Sequence, residues 1–259
     1  ILRLVQGEAE TAEIAAAMEA LPGLRHEIIF VDDGSTDRSV EICRELHTKD
    51  PEHVRAIIFR RNFGQTAAMA AGFDASTGDV IVPMDADLQN DPADIKRLLD
   101  KLGEGFDVVS GWRANRQDKA ISRRLPSIIA NRLISWITGV HLHDYGCTLK
   151  AYRTDVAKDI NFYGEMHRFL PALASWSGAK VAELPVNHRS RRFGVSKYGI
   201  GRTIRVVLDL ITVKFLMSYS TKPMQVFGKW AAVSLAVGFM AGLATVFDKL
   251  YYGLSVNRN

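Results

Sequence analysis

Cysteine is scarce: Cys43 and Cys147 are the only two in 259 residues, and they lie far apart with no metal-ligand spacing. That excludes a disulfide framework and points to free thiols in a reducing compartment. His141 and His143 sit two apart with only Cys147 near them, short of the four ligands of a closed zinc site, which argues against one. Basic residues cluster from Arg113 to Arg132 and from Arg189 to Arg205. Aromatic residues are sparse among them, with none in the first cluster, which argues against nucleic acid. Phosphorylated substrates and anionic lipid remain as partners. No secretory leader opens the chain. Charged residues make up 24%, too many for a pure membrane bundle, and the formal net charge is only +4.

One long apolar run is present. Trp230 to Phe247 holds no charge and is bounded by Lys229 and by Asp248-Lys249. Roughly 18 residues at about 1.5 Å each span about 27 Å, close to the thickness of a bilayer core. Gly238 and Gly242 inside the run and Tyr251-Tyr252 after it suit a membrane helix with an interfacial belt. Between Tyr198 and Met217, Arg202, Arg205 and Lys214 alternate with Ile200, Ile204, Val207, Leu208, Ile211 and Phe215. That spacing predicts an amphipathic helix lying in the membrane surface. Lys222-Pro223 breaks the chain before the span. The expected organisation is a catalytic domain over residues 1–197, juxtamembrane helices over 198–222, and a membrane segment over 223–259.

The first 110 residues alternate helical and apolar strand-like stretches, with strands expected at Glu27–Val31, Arg55–Phe59, Val80–Met84 and Phe106–Ser110. This predicts an α/β fold with a mostly parallel sheet and helices on both faces. Ligands of such sheets sit beyond the carboxyl ends of the strands. Two acidic turns fall there: Asp32-Asp33 after the first strand and Asp85-Ala86-Asp87 after the third. Paired aspartates at a strand end supply hard oxygen ligands suited to Mg²⁺ or Mn²⁺, and such an ion suits a diphosphate. Trp112, Trp136 and Trp176 read as core or interface residues rather than sugar platforms.

Five motifs occur in order: Val31-Asp32-Asp33-Gly34-Ser35-Thr36-Asp37, Asn62-Phe63-Gly64-Gln65, Asp85-Ala86-Asp87-Leu88-Gln89, Asp144-Tyr145-Gly146-Cys147 and Arg192-Phe193-Gly194-Val195-Ser196-Lys197-Tyr198-Gly199. Together they resemble the inverting glycosyltransferases that charge polyprenyl phosphate with a sugar, such as bactoprenol glucosyltransferases and dolichol-phosphate mannose synthases. The resemblance spans roughly residues 24–250. It implies a GT-A nucleotide-sugar domain followed by amphipathic interface helices and a transmembrane helix. It also implies membrane localisation with the catalytic domain cytoplasmic, and self-association as a tetramer. The family usually opens with a strand and a nucleotide-contacting loop, which would belong before Ile1. A further span would belong after Asn259.

The resemblance assigns roles by position. Val31 and Asp33 would contact base and ribose. Asp85 and Asp87, with Ala86 and Gln89, would hold the metal and donor diphosphate, under a basic loop carrying Arg191 and Lys197. Arg113, Arg123 and Ser127 would hold the acceptor phosphate. Asp144 would act on the donor sugar, as a base or as a sugar-orienting group, and Glu165, His167 and Arg168 would face the sugar. The expected reaction is transfer from UDP-glucose to undecaprenyl phosphate with inversion. GDP-mannose, UDP-N-acetylglucosamine and an aminoarabinose donor are alternatives, as are a processive polysaccharide synthase and a non-catalytic membrane scaffold. Gln225-Val226-Phe227-Gly228-Lys229-Trp230 lacks the Gln-x-x-Arg-Trp spacing of the processive enzymes.

Overall fold

The computed structural model describes residues 7–21, 23–114, 125–160, 166–189, 200–219 and 222–253. The chain divides into a compact unit ending at Val213 and a second unit from Lys214. In the first, α1 (Gly7–Glu19) leads to β1 (Ile28–Asp32), α2 (Ser39–Lys49), β2 (Val54–Ile58), α3 (Gln65–Ala75) and β3 (Val80–Ile81). Then come α4 (Asp94–Gly103), β4 (Val108–Trp112), α5 (Leu125–Thr138), β5 (Lys150–Arg153), α6 (Thr154–Asp159), α7 (Leu170–Trp176) and β6 (Val181–Pro185). Two long helices close the described chain, α8 (Ile200–Tyr219) and α9 (Pro223–Tyr252).

The α/β layering is as expected, but the sheet is mixed rather than mostly parallel. β1 and β2 pair in parallel as a two-stranded sheet, and the other strands are ordered β3-β5-β4-β6. β5 runs antiparallel to both its neighbours, while β4 and β6 are parallel. Strand direction depends on how the chain returns from α5, which no local apolar pattern records. β3 is also shorter than the expected Val80–Met84. Only Val80 and Ile81 pair with β5, and Pro83 offers no N–H to extend the ladder.

One core forms where Leu98 and Leu102 of α4 pack on Val109, Ala151 and Leu184, with Cys147, Leu149 and Val186. A second gathers Phe30, Cys43, Leu46 and Val54 between α2 and the two-stranded sheet. α3 lies against β1, and its Phe73 ring sits 5.6 Å from that of Tyr152 in β5. Both cysteines are free and buried. Gly111 of β4 lies beside the 147–149 chain, where a Cβ would stand 2.7 Å from the Leu149 carbonyl oxygen. Only glycine allows that approach.

α8 buries Leu210 and Val213 and exposes Leu208 and Ile211. α9 extends well beyond the expected Trp230–Phe247 run, with Pro223 in its first turn and Gly253 capping it at φ 60°. Its stretch Pro223–Tyr251 has a mean hydropathy of 1.9 over its most apolar window and is long enough to cross a bilayer.

Candidate active site

The two acidic turns converge, and a short loop joins them. Asp32 and Asp33 follow β1. Asp32 is buried, and its Oδ1 accepts the Ser35 N–H at 2.9 Å. Asp33 reaches to the chain before α3: its two oxygens accept the N–H groups of Phe63 at 2.7 Å and Gly64 at 2.9 Å. Gly34, at φ 71°, makes this possible, since a Cβ there would lie 2.4 Å from the Arg61 backbone. The next residue, Gln65, extends its side chain to the other turn and donates from Nε2 to Asp85 Oδ1 at 3.0 Å.

The Asp85 turn is tight. The Asp87 N–H donates to the Asp85 carbonyl at 2.9 Å, and the Gln89 N–H to Asp87 Oδ1 at 3.2 Å. Leu88 adopts φ 56°, in the left-handed region that side chains with a Cβ rarely occupy. Gln89 and Asn90 pair with the chain near His188 and Arg189, and Asn90 Nδ2 donates to Thr148 Oγ1 at 3.2 Å. Burial and the Asp87 charge push the Asp85 carboxyl above the ordinary carboxylate range; the Thr148 hydroxyl, Lys150 and Arg113 oppose that shift. Two carboxylates are thus held together at some electrostatic cost. Two carboxylates are a donor set that fits a hard divalent cation. Among the described residues, no group of three or more His, Cys, Asp or Glu side chains is placed to bind a metal alone.

Asp144 and Arg113 form one unit. Arg113 Nε donates to Asp144 Oδ2 at 2.6 Å and Nη2 to Oδ1 at 2.9 Å, with 14% and 8% of the two side chains exposed. The Gly146 N–H adds a third bond to Oδ1 at 3.0 Å. Both residues line a groove of about 630 Å³ with Trp112, Ile128, Asn131, Arg132 and Trp136 among its walls. The Trp112 and His143 rings stack with centroids 4.3 Å apart.

The expected residues are therefore partly assembled. Asp85, Ala86, Asp87 and Gln89 share one turn, and Asp85 feels the charge of Arg113. Val31 is half-buried in β1, one residue before the Asp32-Asp33 turn. His167 is buried and meets the Thr66 hydroxyl at 2.9 Å, and Arg168 Nε is buried. Ser127 lies on α5, but its side chain, like Arg123, Glu165, Arg191 and Lys197, lies outside the described residues. Sequence reasoning missed Gln65 as a ligand of Asp85, Thr148 beside it, and the buried Lys150. A lone lysine inside the apolar stretch from Thr148 to Tyr152 was the available signal for the last.

The geometry has parallels among known proteins. Residues 9–160 match the family described as "Glycosyl transferase family 2". The chain is 46% identical over 246 residues to the dodecaprenyl-phosphate galacturonate synthase of Rhizobium johnstonii, covering 93% of this chain and 72% of that protein. It is 40% identical over 231 residues to an undecaprenyl-phosphate 4-deoxy-4-formamido-L-arabinose transferase of Klebsiella pneumoniae, covering 89% and 69%. In fold it is similar to glucosyl-3-phosphoglycerate synthase of Mycobacterium tuberculosis, solved with Mn²⁺, UDP and glucosyl-3-phosphoglycerate. That match has a TM-score of 0.59 at 18% identity and covers 79% of this chain and 73% of that one. By its motifs, its GT-A-type α/β fold and its likeness over most of its length, the chain belongs to glycosyl transferase family 2.

Proposed function

We propose that the protein transfers a sugar from a nucleotide-diphosphate donor to a polyprenyl phosphate, with inversion. The observation that carries this is the cluster at the strand ends. A strained carboxylate pair, Asp85 and Asp87, lies within electrostatic reach of the Arg113–Asp144 pair, which forms part of the wall of a groove with apolar and basic sides. A divalent cation, Mg²⁺ or Mn²⁺, held by Asp85 and Asp87 would neutralise charge gathering on the leaving nucleoside diphosphate. Arg191 and Lys197 would add to that from the basic loop, and Val31 and Asp33 would meet the nucleotide. An acceptor phosphate monoester, with a second pKa of about 6, is already largely an anion at neutral pH. It needs positioning more than deprotonation. Arg113, with Arg123 and Ser127, would orient it for attack at the anomeric carbon. Asp144 already accepts three hydrogen bonds, which suits it to orient Arg113 and the sugar rather than to carry a proton away.

The preferred donor is a nucleotide-linked galacturonate, not the UDP-glucose expected from overall likeness. The named relatives act with galacturonate and with 4-deoxy-4-formamido-L-arabinose. The apolar helix α9 would hold the enzyme in the membrane where a polyprenyl phosphate resides, with the catalytic unit on the cytoplasmic face. The test is incubation of the purified chain with undecaprenyl phosphate, Mn²⁺ and a panel of nucleotide sugars, read by mass spectrometry of the lipid fraction. A lipid-phosphate monosaccharide formed from the galacturonate donor is expected. A polymer, a glucose product or no lipid product would contradict the proposal.

A further inference from the structure

The four-stranded sheet has two unlike faces. One packs on α4 through Val109, Ala151 and Leu184. The register places Ser110 of β4 between Lys150 of β5 and Glu183 of β6, so these three share the opposite face. A lysine, a serine and a glutamate in one row across the middle of a sheet is a costly arrangement. Lys150 is 3% exposed, the Glu183 side chain 11%, and the buried Ser110 hydroxyl has no hydrogen-bond partner among the described residues.

Both charged ends of the row grip the same segment, the one that carries Asp144. The Glu183 carboxylate accepts the N–H of His143 at 3.0 Å and the N–H of Asp144 at 3.1 Å. It also meets His143 Nδ1 at 2.8 Å. Lys150 Nζ donates to the carbonyl oxygens of Tyr145, at 3.4 Å, and Cys147. The negative group thus holds amide N–H groups at the start of the segment, and the positive group holds carbonyls at its end. Each charge matches the exposed pole of the peptide groups it meets. Lys150 also feels the charges of Asp144, Arg113 and Asp85, so it joins the segment electrostatically to the acidic turn.

We propose that Glu183 and Lys150 are positioning residues that clamp residues 143–147 from both ends and thereby fix the Arg113–Asp144 pair relative to Asp85. This rests on the sugar-transfer function proposed above. Neither residue lies on a recognised motif, and their work is done through backbone atoms. A shift of about 1 Å in a catalytic group is enough to cost about 100-fold in rate, while a donor gripped by the Asp85 turn would still bind.

The experiment compares Lys150→Met and Glu183→Gln, both close in shape, with wild type in the full chain. It reads turnover in the lipid-transfer assay, UDP binding in the presence of Mn²⁺ by calorimetry, and the thermal midpoint. Turnover is expected to fall ~10–100-fold in Lys150→Met and less in Glu183→Gln, which keeps one acceptor oxygen. UDP affinity should stay within about threefold in both, a kcat effect without a matching donor-binding effect. Methylammonium should restore part of the turnover of a Lys150→Ala variant, which a general loss of folding would not allow. Unchanged turnover in folded variants overturns the positioning role. So does a parallel fall of turnover, UDP affinity and thermal midpoint. Should Lys150→Met fail to fold, Glu183→Gln decides alone by the same criteria. A wild type that transfers no sugar from any donor overturns the underlying function instead.

Discussion

Asp33 and Asp85 both follow the end of a strand and belong to the same kind of sequence, an acidic turn after an apolar run, yet their oxygens hold different partners. Asp33 is occupied by two backbone N–H groups thirty residues away in sequence and so ties β1 to the start of α3. Asp85 meets side chains, Gln65 and Thr148, and burial together with a second carboxylate raises its pKa. One carboxylate is satisfied by the fold. The other is held near its own kind, a repulsion that the proposed cation would relieve. The loop from Asn62 to Gln65 makes the first serve the second: Asp33 fixes its backbone, and Gln65 then reaches Asp85.

Breaking each side of this comparison should give unlike outcomes. The largest effect is expected at the Arg113–Asp144 pair beside the Asp85 turn. Arg113→Ala removes a two-pronged charged bond from a nearly buried carboxylate and should cost about 3–5 kcal/mol in denaturant unfolding, along with turnover. Arg113→Lys should recover little, because an ammonium cannot reproduce the two-pronged bond. Next, Asp85→Ala should reduce turnover by about 100- to 1000-fold while the thermal midpoint holds or rises, because a repulsive pair is relieved. On the other side, Asp33→Ala and Gly34→Ala should each lower stability by about 1–3 kcal/mol, as seen in chemical denaturation.

The smallest effect is a pH trend. The folded-state pKa of Asp85 is raised above its unfolded value. Its contribution to stability is therefore fully present below the unfolded pKa and is lost as pH rises through the folded one. In chelator, the thermal midpoint of Asp85→Asn minus that of wild type should grow as pH rises through that window. Mn²⁺ should shrink the difference by stabilising the wild type alone. A difference that is flat with pH would remove the strain assigned to this turn.

Much of the comparison is legible in the sequence. The alternation of helices and strands placed both acidic turns at strand ends. What escaped was long-range. The antiparallel direction of β5 follows from the return of the chain after α5, and the shortened β3 from Pro83. The partners of a carboxylate are likewise set by register. Ser110 brings Lys150 and Glu183 into one row only because β4 lies between β5 and β6. A motif can mark Asp144, but the side chains that hold its backbone lie on strands with no motif of their own.

The central claim is that Asp85 and Asp87 grip a donor diphosphate through a divalent cation. It is tested most directly by calorimetric titration of UDP into wild type and into the Asp85→Asn, Asp87→Asn double variant, each with Mn²⁺ and with chelator. The wild type should bind UDP far more tightly with Mn²⁺ than without, and the double variant should lose that difference while remaining folded. An equal Mn²⁺-dependent gain in both proteins would contradict the account.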